Sequence, residues 1–187
     1  MTRIISGFAG SLALSVPKSG TRPTSDRTRE GIFSALEARD TIVESRVLDL
    51  YAGSGALALE AVSRGARSAV LVERASEAAR VCKSNAALIR KAAPGSTVDI
   101  EVQTRPVLSY LETAAAEFDL VFIDPPYDIA ESEITSVLAS LVPRLAPEAD
   151  VVLERSTRSP EPIWPEGLEL VRSRTYGETA VYYATRS

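Results

Sequence analysis

The sequence predicts a Rossmann-like α/β fold: a mostly parallel, doubly wound sheet with an antiparallel C-terminal hairpin. Short apolar stretches at 47–50, 69–72, 98–102, 120–123 and 151–153 alternate with helix-length segments at about 55–64, 76–92, 106–116 and 130–142. Strands that are apolar on both faces need cover on both faces, which a parallel sheet between two helix layers supplies. The tail breaks the alternation. Segments 168–174 and 179–184 flank Tyr176-Gly177-Glu178, the pattern of a hairpin added to a sheet edge.

Ahead of this domain, which spans 24–187, residues 1–23 read as a small N-terminal β-hairpin (about 3–16) and a basic Pro/Gly loop from 17 to 23. A helix follows, with Thr24 or Ser25 as N-cap and Asp26 near the positive end of its dipole. Its apolar face is Ile32, Phe33 and Leu36. The run from Ile4 to Val16 has the length of a weak signal sequence. However, Ser6, Gly7, Gly10, Ser11 and Ser15 interrupt it, and Leu12, Leu14 and Val16 alternate as in a strand.

The totals exclude several chemistries. The 187 residues suffice for one compact domain. Cys82 is the single cysteine, so no internal disulfide can form, which suits a reducing cytoplasm. No apolar run approaches the roughly 20 residues of a membrane helix. The chain has no histidine, which removes Ser-His triads, imidazole proton shuttles and histidine-containing metal sites. No metal is expected. The net charge of −4 is unevenly spread: +3 over residues 1–30, −8 over 31–154 and +1 over 155–187. An acidic body with a basic N-terminal arm can dock a polyanion at one edge.

Two motifs carry the chemistry. The first is Val47-Leu48-Asp49-Leu50-Tyr51-Ala52-Gly53-Ser54-Gly55, which runs off a strand into a helix. Glycines there let the backbone turn tightly beside a ligand, and Asp49 sits at the carboxyl end of its strand, where open α/β sheets bind ligands. The next strand ends in Glu73, an acid placed to hold two ribose hydroxyls. Gly53-x-Gly55-x-x-Ala58 also satisfies a dinucleotide fingerprint, so an NAD-dependent oxidoreductase is a rival. Asp49 favours the methyl donor and leaves the dinucleotide reading open: a carboxylate beside the glycines suits the cationic end of S-adenosylmethionine and repels a pyrophosphate.

The second motif is Asp124-Pro125-Pro126-Tyr127, directly after the strand at 120–123. The prolines make a rigid corner and donate no hydrogen bonds. The Asp124 carboxylate and the Pro125 carbonyl are then acceptors for the two hydrogens of an exocyclic amine, turning its lone pair toward an electrophilic methyl. Tyr127 offers a face on which a flipped-out base can stack. An NAD enzyme leaves this corner unexplained.

Together the two motifs resemble those of amino-methyltransferases with the class I S-adenosylmethionine-dependent fold. Arg3-Ile4-Ile5-Ser6-Gly7 and Arg22-Pro23-Thr24-Ser25-Asp26-Arg27-Thr28-Arg29-Glu30, with Phe33 after them, resemble the N-terminal signature of the RsmD family, bacterial 16S rRNA guanine-N2 methyltransferases. The likeness covers essentially the whole chain, including Tyr176-Gly177. It implies a cofactor site at Asp49, Tyr51, Gly53, Gly55, Glu73, Arg74 and Asp124. Gln103, Thr104 and Arg105 all occupy the region of the adenine, and Thr104 is carried as the contact. It further implies Asp124, Pro125 and Tyr127 as catalytic, with Arg22, Thr24, Arg27, Arg29, Pro126 and Tyr127 toward the substrate. The chain departs from the family where Gly10 is followed by Ser11 instead of an arginine, which removes one cationic RNA contact.

The expected reaction is in-line methyl transfer to the N2 amine of a guanine in 16S rRNA of the small ribosomal subunit, by a cytoplasmic monomer with no membrane partner. The rival within the chemistry is methylation of adenine N6 or cytosine N4 in DNA. Such enzymes carry a sizeable recognition module, for which 187 residues leave little room. A non-catalytic RNA-binding factor is the third possibility, against which Asp49 and Asp124 both stand.

Overall fold

The computed structural model describes residues 2–18, 25–95 and 98–187. Most of the 17–23 loop, including Arg22, and the alternative cap Thr24 lie outside the described residues. Two short strands, β1 (Thr2–Arg3) and β2 (Ala13–Leu14), pair antiparallel as the N-terminal hairpin. A seven-stranded sheet follows: β3 (Arg46–Leu50), β4 (Ser68–Val72), β5 (Asp99–Gln103), β6 (Phe118–Ile123), β7 (Leu145–Ser156), β8 (Leu168–Tyr176) and β9 (Thr179–Arg186). Its spatial order is β5-β4-β3-β6-β7-β9-β8. The first five strands are parallel, and β9 runs antiparallel between β7 and β8. The chain order reverses between β3 and β6, and both chemical motifs end at that crevice.

Among the described residues five α-helices cover the sheet: α1 (Asp26–Glu37), α2 (Ala56–Ser63), α3 (Ser76–Ala92), α4 (Val107–Thr113) and α5 (Glu131–Leu141). Side chains alternate along each strand, so the core forms two layers. Val47 and Phe122 pack with Ile32, Phe33, Leu59 and Ile89 beneath α1, α2 and α3. Leu48, Leu50 and Val121 pack with Leu111, Val137 and Leu141 beneath α4 and α5. Asp49 follows the Val47 face. α1 begins at Ser25, whose Oγ accepts the Thr28 N–H at 3.1 Å, and the expected apolar face is fully buried.

Several boundaries differ from the sequence pattern, among them those of β7, α4 and β5. β7 is twelve residues long, although only 151–153 read as a strand. Pro147 and Glu148 mask its first half: Glu148 takes a left-handed φ of 62°, and the register against β6 shifts between Phe118 and Leu120. α4 ends at Thr113, because Ala114 turns to extended backbone. β5 begins one residue later than read, at Asp99.

The hairpin is seated on α2. Ile4, Ala9 and Leu14 join the core of the sheet. The Glu60 carboxylate accepts the Ile5 and Ser6 N–H groups at 2.7 and 2.9 Å. Ser63 donates from Oγ to the Ser6 carbonyl and accepts the Ala9 N–H. Contact is tightest at Gly7, where a Cβ would lie 1.8 Å from the Ser63 carbonyl oxygen. No helix among the described residues is long and apolar enough to cross a membrane.

Candidate active site

β3 ends in a turn with three left-handed residues: Tyr51 (φ 65°), Gly53 (φ 56°) and Gly55 (φ 80°). A Cβ on Gly55 would come within 2.7 Å of Leu71 Cδ2 and 3.0 Å of Cys82 Sγ, so only glycine lets the loop lie this close to β4 and α3. For Tyr51 that backbone is costly, and such strain clusters where a site needs a fixed shape. Its hydroxyl donates to Glu133 Oε1 at 3.2 Å, tying the loop to the first turn of α5. Burial, and then the Glu133 charge, push the Tyr51 hydroxyl well above the ordinary phenol range.

Three acids converge on this turn. Asp49, buried, accepts the Ala58 N–H through Oδ2 at 3.2 Å. Glu73, half-buried, accepts the Gly53 N–H at 3.0 Å and the Ala75 N–H at 2.8 Å, one on each oxygen. Burial pushes the Asp49 carboxyl up to about 8; the Ala58 N–H pulls the other way, and the nearby charges of Asp124 and Glu73 push it further. A site with this much negative potential binds a cation and rejects a pyrophosphate. These carboxylate acceptors fit a ligand with a cationic end, as S-adenosylmethionine has.

The second motif leaves β6 beside the first. Asp124 is half-buried, Pro125 buried, Pro126 half-buried, and Tyr127 is 57% exposed. Tyr127 therefore presents much of its ring to solvent at the end of this corner. The Pro126 carbonyl accepts the Ile129 N–H at 3.1 Å, closing the turn that leads to α5.

The remaining expected residues divide. Arg74 is exposed beside Glu73, and its charge reaches the Tyr51 hydroxyl. Thr104 is exposed at the carboxyl end of β5, with its Oγ1 accepting from Lys83 Nζ at 3.2 Å. Its neighbours point elsewhere: Arg105 donates to Ser109, and Gln103 to Glu101. Arg27 is exposed on the first turn of α1. Arg22 and Thr24 lie outside the described residues.

Arg29 is a correction. It was expected to meet substrate phosphate, but it is 1% exposed, pairs with Asp26 at 2.8 Å, donates to the Arg3 carbonyl and lies 3.9 Å from Glu60. It is committed to the internal join between α1, the hairpin and α2. The helical period explains this: Arg29 shares the core-facing side of α1 with Ile32, Phe33 and Leu36.

Three residues outside the motifs shape the site. Glu60 anchors the hairpin and receives Arg64 Nε at 2.8 Å. Glu133 holds Tyr51. Asn85, fully buried on α3, reaches the Ser54 carbonyl in the glycine loop. Glu60 carried a signal, being the lone acid in the apolar segment Ala56-Leu57-Ala58-Leu59-Glu60-Ala61-Val62. Asn85 and Glu133 carried none.

Comparison with known proteins bears on the whole chain. Residues 2–185 match the family model described as conserved hypothetical protein 95. Over 179 residues the chain is 34% identical to ribosomal RNA small subunit methyltransferase D of Escherichia coli strain K12, covering 95% of this chain and 86% of that protein. It is 31% identical to the putative rRNA methyltransferase YlbH of Bacillus subtilis, covering 96% of each. Among solved structures it superposes on the putative methyltransferase yhhF of Escherichia coli with a TM-score of 0.83 and 34% identity, covering 100% of this chain and 98% of that one. The hairpin, the glycine loop, the Asp-Pro-Pro-Tyr corner and the C-terminal strand pair all fall within these alignments, and the chain belongs to the RsmD family of methyltransferases.

Proposed function

We propose that this chain methylates the N2 amine of a guanine in 16S rRNA, using the Asp124–Tyr127 corner to orient the amine. The methyltransferase activity and the S-adenosylmethionine cofactor go with the family. The proposal concerns the base, the atom and the residues in contact. The observation that carries it is the placement of Asp124 and the Asp49/Glu73 pair around one crevice, close enough for their charges to interact.

S-adenosylmethionine supplies an electrophilic methyl on a sulfonium. The chain's own task is alignment. Asp49 and Glu73 hold the cofactor's polar groups, and the left-handed turn brings backbone against it. The Asp124 carboxylate and the Pro125 carbonyl accept the two amine hydrogens, so the nitrogen lone pair points at the methyl. Tyr127 stacks the base, worth about 1–3 kcal/mol. A neutral amine attacking a cationic donor needs no strong base, and alignment of this kind supplies roughly 7–11 kcal/mol of the barrier. The amine loses one proton as its new N–C bond forms and the sulfonium S–C bond breaks, with that electron pair left on a neutral thioether sulfur, and Asp124 can receive the proton. Arg27, and Arg22 in the preceding segment, are the proposed phosphate contacts, positioning RNA without reading its sequence.

Incubation with labelled S-adenosylmethionine and hypomethylated small ribosomal subunits, followed by nucleoside analysis, tests this reading. Label in N2-methylguanosine supports it. Label confined to a methylated adenine or cytosine, or methylation of DNA alone, contradicts it.

A further inference from the structure

The glycine loop is held from below by three side chains. Asp49 and Glu73 take backbone N–H groups and belong to the cofactor site. The third, Asn85, is different. Its Nδ2 donates to the Ser54 carbonyl at 2.8 Å and to the Ser15 carbonyl at 2.9 Å, while its Oδ1 accepts the Ser15 N–H at 2.9 Å. Both amide hydrogens and the oxygen are used, and the side chain is fully buried. One amide thus pairs with Ser15 as a strand neighbour would and, through its other hydrogen, fixes the loop between Gly53 and Gly55.

The hairpin is already fastened to the other end of α2 through Glu60 and Ser63. Asn85 instead joins the segment leading toward the basic arm to the loop that meets the cofactor. A buried amide with fixed partners at both ends transmits displacement, because shifting either end leaves a buried polar group unpaired. From this geometry we propose that Asn85 is a positioning residue that couples cofactor binding at the glycine loop to the position of Ser15, where the chain leaves the N-terminal hairpin. RNA and cofactor then bind cooperatively, a consequence that rests on the proposed role of the arm in contacting RNA.

A double-mutant cycle read by calorimetry with S-adenosylhomocysteine tests the link without turnover. Ser15 lies outside the cofactor site. Ser15→Pro, which removes the N–H that Asn85 accepts, weakens S-adenosylhomocysteine about fivefold or more, whereas Ser15→Ala, which keeps that N–H, leaves affinity unchanged. Asn85→Ala also weakens binding and makes Ser15→Pro silent, so the two effects do not add. Hydrogen exchange at the Ser15 amide of the unaltered chain gives a readout that needs no variant, and saturation with S-adenosylhomocysteine slows it at least several-fold. Wild-type affinity in Ser15→Pro, additive effects, or unchanged exchange at Ser15 overturns the proposal. If the unaltered chain binds S-adenosylhomocysteine and shows this link, yet its RNA affinity is the same with and without the ligand, the role given to the arm fails while the coupling stands. If it binds no S-adenosylhomocysteine, the cofactor site and the coupling fail together.

Discussion

Asp49 Oδ2 lies 3.2 Å from the Ala58 nitrogen, so the acid proposed to hold the cofactor also caps the first turn of the helix beneath it. That bond favours the charged form, but burial outweighs it and leaves the carboxyl at about 8. Burial therefore favours the protonated form of Asp49 near neutral pH. A cationic ligand returns it to the charged state.

The first prediction follows. Cofactor binding releases a proton near neutral pH, and affinity rises toward a plateau above about pH 8, by up to tenfold per unit below it. Calorimetry in buffers of different ionisation enthalpy measures the proton directly. Asp49→Asn keeps an acceptor for the Ala58 N–H, lowers affinity and removes the proton release. For stability the sign is opposite. A carboxyl raised from near 4 to about 8 favours the fold below pH 4, and that contribution is lost as pH climbs through 8. Ligand-free Asp49→Asn should then melt higher than the parent above pH 8.

The second prediction separates two arginines on α1. Arg29→Ala leaves Glu60 with one cation fewer in a buried site and costs about 3–5 kcal/mol, seen as a large drop in melting temperature. Arg27→Ala, exposed, leaves the melt unchanged and lowers the salt dependence of RNA binding by about one unit of slope. An unchanged salt slope removes Arg27 from the phosphate contacts.

Sequence periodicity placed all the parallel strands and the topology of the tail, because apolar strands and amphipathic helices differ in period. It misjudged Arg29, because one arginine in a basic string looks like its neighbours until the helix phase assigns it inward. The two candidate motifs were legible as meeting at one sheet edge because each places an acid at a strand's carboxyl end. Asn85, Glu133 and Glu60 were not recognised as part of the site. Their partners are 70, 82 and 55 residues away along the chain, and only the fold brings them together.

The third prediction concerns the strained turn. Tyr51→Phe loses the hydrogen bond to Glu133 and costs about 0.5–1.5 kcal/mol in stability, with a smaller loss of cofactor affinity. Glu133→Ala produces a comparable loss, and the double variant is no worse than either single one. Additive losses in denaturant melts would show that the pair does not act as a unit.

The fourth prediction tests the central claim, that the corner at Asp124 orients a guanine N2 amine for methyl transfer. The measurement is single-turnover methylation of hypomethylated small subunits beside cofactor titration, for Asp124→Ala, Tyr127→Ala and Tyr127→Phe. Asp124→Ala removes an acceptor that matters most as the amine rehybridises, so turnover falls by about a hundredfold or more while cofactor affinity changes far less. Tyr127→Ala weakens substrate capture, and Tyr127→Phe, which keeps the ring, is mild. Methylation of guanine N2 by Asp124→Ala at the parent rate would contradict the account.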